Sequence, residues 1–190
     1  MVMALPRVPL WEEPGVSDAP RILALDLSLT HTGVCGKDGV ASCLITGKLR
    51  GMQRIDHILR QVQRLAHNVD LVVIEGYSFG SQGRSVFDIA ELGGCMRFLL
   101  YRLGIPFVDV PPSTLKKYAT GKGNSNKDAM IAAAIRHFGF AGCDNNEADA
   151  YLLWCIARHH YGYPIISVPV INAAATMKVS WPELGGRLRA

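Results

Sequence analysis

The 190-residue sequence has no apolar run long enough to cross a bilayer as a helix, which argues against a membrane-spanning chain. It has no internal repeat and no low-complexity tract, so repeat arrays and fibrous architectures are excluded. It has no Cys-x-x-Cys pair. Its five cysteines, Cys35, Cys43, Cys95, Cys143 and Cys155, are an odd number and read as buried thiols of a reducing compartment rather than disulfides or metal ligands. Charge is modest: 19% of residues are charged and the net surplus is +4, which permits nucleic acid as a partner without demanding it. Residues 1–20 lack the pattern of a signal peptide or an Arg-rich transit peptide; their prolines and the acids Glu12, Glu13 and Asp18 suggest an irregular arm. A cytoplasmic location is the expectation. What the sequence does have is a 49% hydrophobic content, enough for one domain with a proper core.

The chain is organised around residues 22–33, Ile-Leu-Ala-Leu-Asp-Leu-Ser-Leu-Thr-His-Thr-Gly. An apolar run of strand length is broken by Asp26 and then passes through Ser28, Thr30 and Thr32 to Gly33. A carboxylate inside a strand built for burial is costly unless something positive sits against it. A bound metal or a phosphate-handling site would supply that partner; the plainer reading is an acid capping the turn at the strand's end.

The remaining elements alternate. After a first strand at 21–28, strands at 32–37 and 40–46 flank a Lys37-Asp38-Gly39 turn whose Asp-Gly pair suits a hairpin. Met52, Ile55, Leu59, Val62 and Leu65/Ala66 recur at helical period over 50–68. A buried strand, 71–75, ends in Glu75; 77–84 is a loop by composition; 85–103 is a helix containing Gly93-Gly94. A strand at 105–110 stops at Pro111-Pro112, and helices follow at 112–120, 126–139 and 146–161. The pattern predicts an α/β fold, a five-stranded mixed sheet flanked by helices on both faces, over residues 21–161, with a weakly specified tail from 162 to 190. In such sheets ligands gather beyond the carboxyl ends of the strands, where Asp26 and Glu75 both fall.

A third acidic cluster runs from Asp144 through Asn146, Glu147 and Asp149 at the start of the last helix. Carboxylates there favour the positive end of the helix dipole, and Asp144 suits an N-cap. Asp149, between Ala148 and Ala150, is expected to face the sheet. Three converging carboxylates suit hard divalent ions such as Mg²⁺, and two ions roughly 3.5–4 Å apart can clamp the attacking and leaving oxygens of phosphodiester hydrolysis.

Leu-Asp26-Leu-Ser…Thr-Gly33, Val-Ile-Glu75 and Glu-Ala-Asp149-Ala, in that order and at these separations, resemble the RuvC family of Holliday junction resolvases. The stretch from Pro112 to Lys127 strengthens the likeness, with Lys116 ahead of the Gly121-Lys122-Gly123 loop and Lys127 after it. The likeness covers about residues 21–161. Leu27, where the family commonly has Pro, and Asn146, where it often has Asp or His, mark a phage-type or divergent member. The resemblance implies an RNase H-like fold, a homodimer, two Mg²⁺ ions per site (Mn²⁺ as a substitute) and symmetric nicking of four-way DNA.

By role, the resemblance gives Asp26, Glu75 and Asp149 as metal ligands and catalytic acids, with Lys116 and Lys127 as catalytic lysines near the scissile phosphate. The fourth ligand, counted with the catalytic acids, is expected to be Glu147, which supplies the missing charge if the helix begins only at Ala148; Asn146, one turn before Asp149, is the runner-up. Lys116, Lys117, Lys122 and Lys127 are expected to contact DNA, together with Phe79, Gln82 and Arg84 from the 77–84 loop. Tyr77 is expected to pack on the sheet. Ile89, Leu92, Met96 and Leu99, with Gly93-Gly94, form a candidate dimer stripe that a helix buried on its own sheet would equally show. His57, His67, His159 and His160 are expected to be unengaged, and His31 to sit in a solvated loop. Two rival classes remain: a non-catalytic RNase H-like DNA-binding module, and an actin-like nucleotide-binding phosphotransferase, which would need a second domain.

Overall fold

A computed structural model of the chain describes residues 19–77 and 84–184. The strands are β1 (Ile22–Asp26), β2 (His31–Cys35), β3 (Ala41–Ile45), β4 (Leu71–Glu75) and β5 (Phe107–Val110). The helices are α1 (Gly51–Leu65), α2 (Arg84–Arg102), α3 (Pro112–Thr120), α4 (Lys127–Phe138), α5 (Asn145–His160) and α6 (Val170–Ala173), followed by a 3₁₀ turn, Ala174–Lys178. The five strands form one sheet in the order β3-β2-β1-β4-β5. The hairpin-linked strands pair antiparallel, while β1–β4 and β4–β5 are parallel, as strands joined by helical crossovers must be. The mixed sheet read from the sequence is therefore the one observed. Among the described residues no helix is long and apolar enough to cross a membrane.

Side chains alternate between the two faces of a strand, and the two cores divide accordingly. Ile22, Ala24, Leu71, Val73, Val108 and Val110 face α3, α4 and α5 in one core. Leu23, Leu25, Val72 and Ile74 face α1 and α2 in the other. Helix α1 buries Ile55, Ile58 and Val62, leaving Met52 and Leu65 exposed, so its apolar stripe is rotated from the one expected. Helix α2 buries Leu92, Met96 and Leu100, so two members of the candidate dimer stripe lie in this chain's own core.

The turn between β1 and β2 uses the hydroxyls of the opening motif. Thr32 Oγ1 donates to the Ser28 carbonyl at 2.5 Å and accepts from the Ser28 amide, while Ser28 Oγ accepts from the amides of Thr30 and His31. Those hydroxyls hold the backbone of a tight turn, the local bonding that Ser and Thr favour in turns. Gly33 has a different role. It sits opposite Asp26 in the register, and a Cβ added there would stand 2.0 Å from the backbone oxygen of Asn146. Only glycine lets the first turn of α5 lie this close to β2.

Gly33→Ala is accordingly expected to push α5 off the sheet and destabilise the chain by about 1–3 kcal/mol, the range typical of overpacking. Thermal unfolding checks this, and an unchanged midpoint would show that the helix has room to yield.

Candidate active site

Period two puts Asp26 on the same face as Ile22 and Ala24, and Glu75 on the same face as Leu71 and Val73; this is the face that α5 covers. The β1–β4 register pairs Leu25 with Ile74 and, one step on, brings Asp26 beside Glu75. Asp26 is only 9% exposed. The two carboxyls hydrogen-bond to one another. Two oxygens can do so only around a proton. The pKa of Glu75 is raised to about 9, first by burial and then by the charge of Asp26 and the shared bond. Burial also raises Asp26, and Asp144 adds to the rise, whereas the bond from Glu75 and the charge of Lys127 oppose it.

Asp149 reaches the same place from α5. Its pKa is raised to about 7 by burial and by Asp26. Lys116 and Lys127 act against the rise at Asp149, and Lys116 does so at Glu75. Glu75 and Asp149 keep some surface at the mouth of the site, yet desolvation is the largest cause at each. Three acids distant in sequence and two lysines thus converge. Among the described residues no three His, Cys, Asp or Glu side chains stand as a finished metal cage; two of the acids are engaged with each other.

The first turn of α5 sorts the remaining candidates. Asp144 is the N-cap: its Oδ1 accepts from the amides of Asn146 (2.8 Å) and Glu147 (3.2 Å) and from the Cys43 thiol (3.4 Å). Burial alone would raise its pKa; these donors and nearby His31 outweigh it, and the net shift is downward. The helix begins at Asn145, so the start at Ala148 that would have let Glu147 turn inward is not met. The Glu147 Oε2 lies beside Gly142, and Glu147 is not among the charges that shift the three acids. Asn146 packs against Gly33, directly across from Asp26.

Of the other expected contacts, Lys117 is half-buried on α3 and Lys122 is exposed in the loop, and neither adds to the shifts of the acids. Phe79 and Gln82 lie outside the described residues, and Arg84 is described only as the first residue of α2. Tyr77 packs on α2 rather than on the sheet. Its hydroxyl donates to the Ala90 carbonyl at 3.2 Å and accepts from Arg97 at 2.9 Å, and Arg97 also forks onto Asp109 at 3.1 and 2.6 Å. This anchor was not foreseen from the sequence; its signal is Gly93, where a Cβ would stand 2.3 Å from the Tyr77 hydroxyl. His159 and His160 are engaged, contrary to expectation. His159 Nδ1 meets the Tyr118 hydroxyl at 3.3 Å and His160 stacks on Trp181, and burial lowers both pKa values.

A family model described as crossover junction endodeoxyribonuclease RuvC matches residues 36–139. That stretch contains Glu75, Lys116 and Lys127; Asp26 and Asp149 lie on either side of it. A crossover junction endodeoxyribonuclease RuvC of Anaeromyxobacter sp. (strain K) is 29% identical over 150 residues, covering 74% of this chain and 79% of the relative. Its counterpart in Synechococcus sp. (strain CC9311) is 31% identical over 85 residues, covering 45% of this chain and only 52% of the relative. Among solved structures, Thermus thermophilus RuvC superposes with a TM-score of 0.57 at 18% identity, over 70% of this chain and 89% of that one. The same protein in complex with a Holliday junction substrate gives 0.57 at 19% identity, over 70% and 90%. The fold is thus the RNase H-like fold of RuvC.

The raised acids have a consequence for stability. The unfolded chain releases the protons of Glu75 and Asp149 near pH 4, whereas the folded chain keeps them until about pH 9 and 7. Between those limits the folded state binds more protons, so its stability falls as pH rises. Without divalent metal, the unfolding midpoint is expected to drop from pH 5 to pH 9. Glu75→Gln should flatten the decline and stabilise the protein at pH 8 by about 1 kcal/mol, one pKa unit's worth. A midpoint independent of pH would mean that the acids ionise freely.

Proposed function

Because this chain belongs to the RuvC family of crossover junction endodeoxyribonucleases, we propose that it is a metal-dependent endonuclease that resolves Holliday junctions by paired, symmetric nicks. The observation that supports this most directly is the convergence of Asp26, Glu75 and Asp149, faced by Lys116 and Lys127, at the carboxyl ends of β1 and β4.

The donor set fits a hard divalent cation. It is all oxygen, it carries up to three negative charges, and its raised proton affinities mark a buried site short of positive charge. Asp26, Glu75 and Asp149 would hold Mg²⁺, or Mn²⁺ in its place, two ions per site. Asn146 ranks ahead of Glu147 as a further ligand because it packs beside Gly33 and Asp26. When bound, the metal supplies positive charge to the scissile phosphate and acidifies the attacking water. The residues of the chain do the rest. Glu75 must give up its shared proton before both acids can serve as ligands. Lys116 and Lys127 present ammonium groups where a phosphate would sit, able to balance charge on its oxygens. The turn hydroxyls of Ser28 and Thr32 are committed to backbone, which weighs against a nucleotide phosphate loop.

Two nicks require two sites held apart by a two-fold axis. The outward face of α2 offers the seam. Phe87, Phe98 and Tyr101 are 76%, 61% and 75% exposed, and with Ala90 and Gly94 they form one stripe at helical spacing. Gly94 has no neighbour near its missing Cβ, leaving room for a second helix. This is the face opposite Leu92 and Met96.

With Mg²⁺, a four-way junction should be cut far faster than linear duplex or an RNA–DNA hybrid. Asp26→Asn should lower cleavage at least about a hundredfold, as loss of one preorganised charge does, while binding, carried by phosphate contacts, persists. Asn146→Ala should raise the Mg²⁺ needed for half-maximal cleavage more than Glu147→Gln; the reverse order would restore Glu147 as the ligand. Equal cutting of all three substrates, or full activity in Asp26→Asn, would refute the proposal. For the dimer, Phe98→Glu should shift sedimentation at micromolar concentration from dimer to monomer and leave thermal stability of the fold unchanged. A wild-type monomer that still resolves junctions would exclude the α2 seam.

A further inference from the structure

The C-terminal segment lies beyond the stretch that matches the family model, yet it folds back on α3, the helix that carries Lys116. It is well tied down. The Trp181 indole donates to the Thr176 carbonyl at 2.8 Å, the Tyr161 hydroxyl donates to the Pro182 carbonyl at 2.8 Å, and Trp181 stacks on His160 with ring centres 4.7 Å apart. At its centre is Asn172 on α6, a polar residue only 8% exposed in an otherwise apolar Val-Ile-Asn-Ala-Ala run. A buried amide persists only where it finds partners.

Its partner explains its place. The last carbonyls of a helix lack intrahelical donors. At the end of α3 the Lys117 carbonyl accepts from the Gly121 amide, and the Lys116 carbonyl accepts from Thr120 Oγ1. The Lys122 amide, which would serve Tyr118 if the helix continued, is diverted to Thr120 Oγ1. The Tyr118 carbonyl instead accepts from Asn172 Nδ2 at 2.9 Å, while Asn172 Oδ1 lies against Gly121, the left-handed residue that ends the helix. Asn172 thereby closes the end of α3 two residues after Lys116. The Tyr118 side chain points the other way, its hydroxyl meeting the Cys155 carbonyl and His159 of α5. Helix α3 is thus gripped at one residue by both α5, which carries Asp149, and the C-terminal segment.

We propose that Asn172 is a positioning residue for DNA cleavage: through the Tyr118 carbonyl it fixes the end of α3 and so the placement of Lys116 against Glu75 and Asp149. The proposal rests on the nuclease reading above. It predicts a kinetic signature that a merely structural role would not give. Asn172→Ala should slow single-turnover junction cleavage about tenfold or more, because small misplacements of a catalytic group are costly. Junction affinity, measured without divalent metal, should stay within about twofold. In a Lys116→Ala background the same change should have less than about a twofold effect, since the group that Asn172 positions is gone. Multiplicative losses in the double variant, or equal losses in rate and affinity, overturn the proposal and leave the nuclease reading standing. Absence of cleavage by the unaltered chain overturns both. Should Asn172→Ala fail to fold, Asn172→Asp, which keeps the shape and loses the N–H donor, takes its place in the cycle, where the same rate loss without affinity loss supports the proposal and multiplicative losses overturn it.

Discussion

The parallel pairing of β1 with β4 is the constraint on which the site depends. With Leu25 opposite Ile74, the next step of the register sets Asp26 beside Glu75, and side-chain alternation turns both toward α5. A slip of one residue would send one acid to the α1–α2 side and leave the other alone. The apolar runs of the two strands, buried on both faces, hold the register. The same packing that buries Ile22, Ala24, Leu71 and Val73 therefore forces two carboxyls together where water is scarce. Burial first, then the charge of Asp26 and the bond between the two carboxyls, raise Glu75 to about 9. Such a cluster is a liability for folding and an asset for binding cations, the exchange of stability for function common at active sites.

The third acid depends on a second constraint, the absence of a side chain at Gly33. Helix α5 crosses β1 and β2 with the Asn146 backbone pressed where a Cβ would be. That contact fixes the rotation of the helix and divides its first turn by function. Asp144 is consumed by capping, Glu147 is turned toward Gly142 and Asn146 lies over the sheet. Asp149 follows one turn after Asn146 and reaches Asp26. One acid of the cluster maintains the helix and another serves the site.

Much of this was legible in the sequence, for a simple reason. Acids that interrupt buried strands violate a strong pattern, so Asp26 and Glu75 stood out, and Asp144 announced itself as a cap. Lys116 and Lys127 were placed by the resemblance around the Gly121-Lys122-Gly123 loop, and the structure brings both to the acids. What failed depended on rotation and on exact helix ends. An apolar stripe on α2 does not say whether it meets its own sheet or another molecule, and Leu92 and Met96 turned out to serve the sheet. The preference for Glu147 hung on a helix start that moved by three residues, from Ala148 to Asn145. His159 and His160 looked like solvated helix-end cations because their aromatic partners, Tyr118 and Trp181, come from elements remote in sequence. Asn172 did carry a signal, a lone amide in an apolar run, but only the tertiary fold reveals that it answers a carbonyl 54 residues away.

The balance of charge links these elements to the proposed reaction. Three carboxylates and two ammoniums leave the ionised site with a net negative charge, and DNA brings more of the same sign. A phosphate would be repelled from such a mouth unless a divalent cation reversed its sign. Conversely, a cation held by these acids keeps charge to spare for a phosphate oxygen. Binding of the two must then be mutually reinforcing, with each raising the affinity of the other by the same factor. The lysines set how large that factor is. Held close, they soften the repulsion and ease ionisation of Glu75 and Asp149; displaced, they leave the acids to their shared proton. The grip on α3 from α5 and from the C-terminal segment therefore acts on the same electrostatic balance that the β1–β4 register creates.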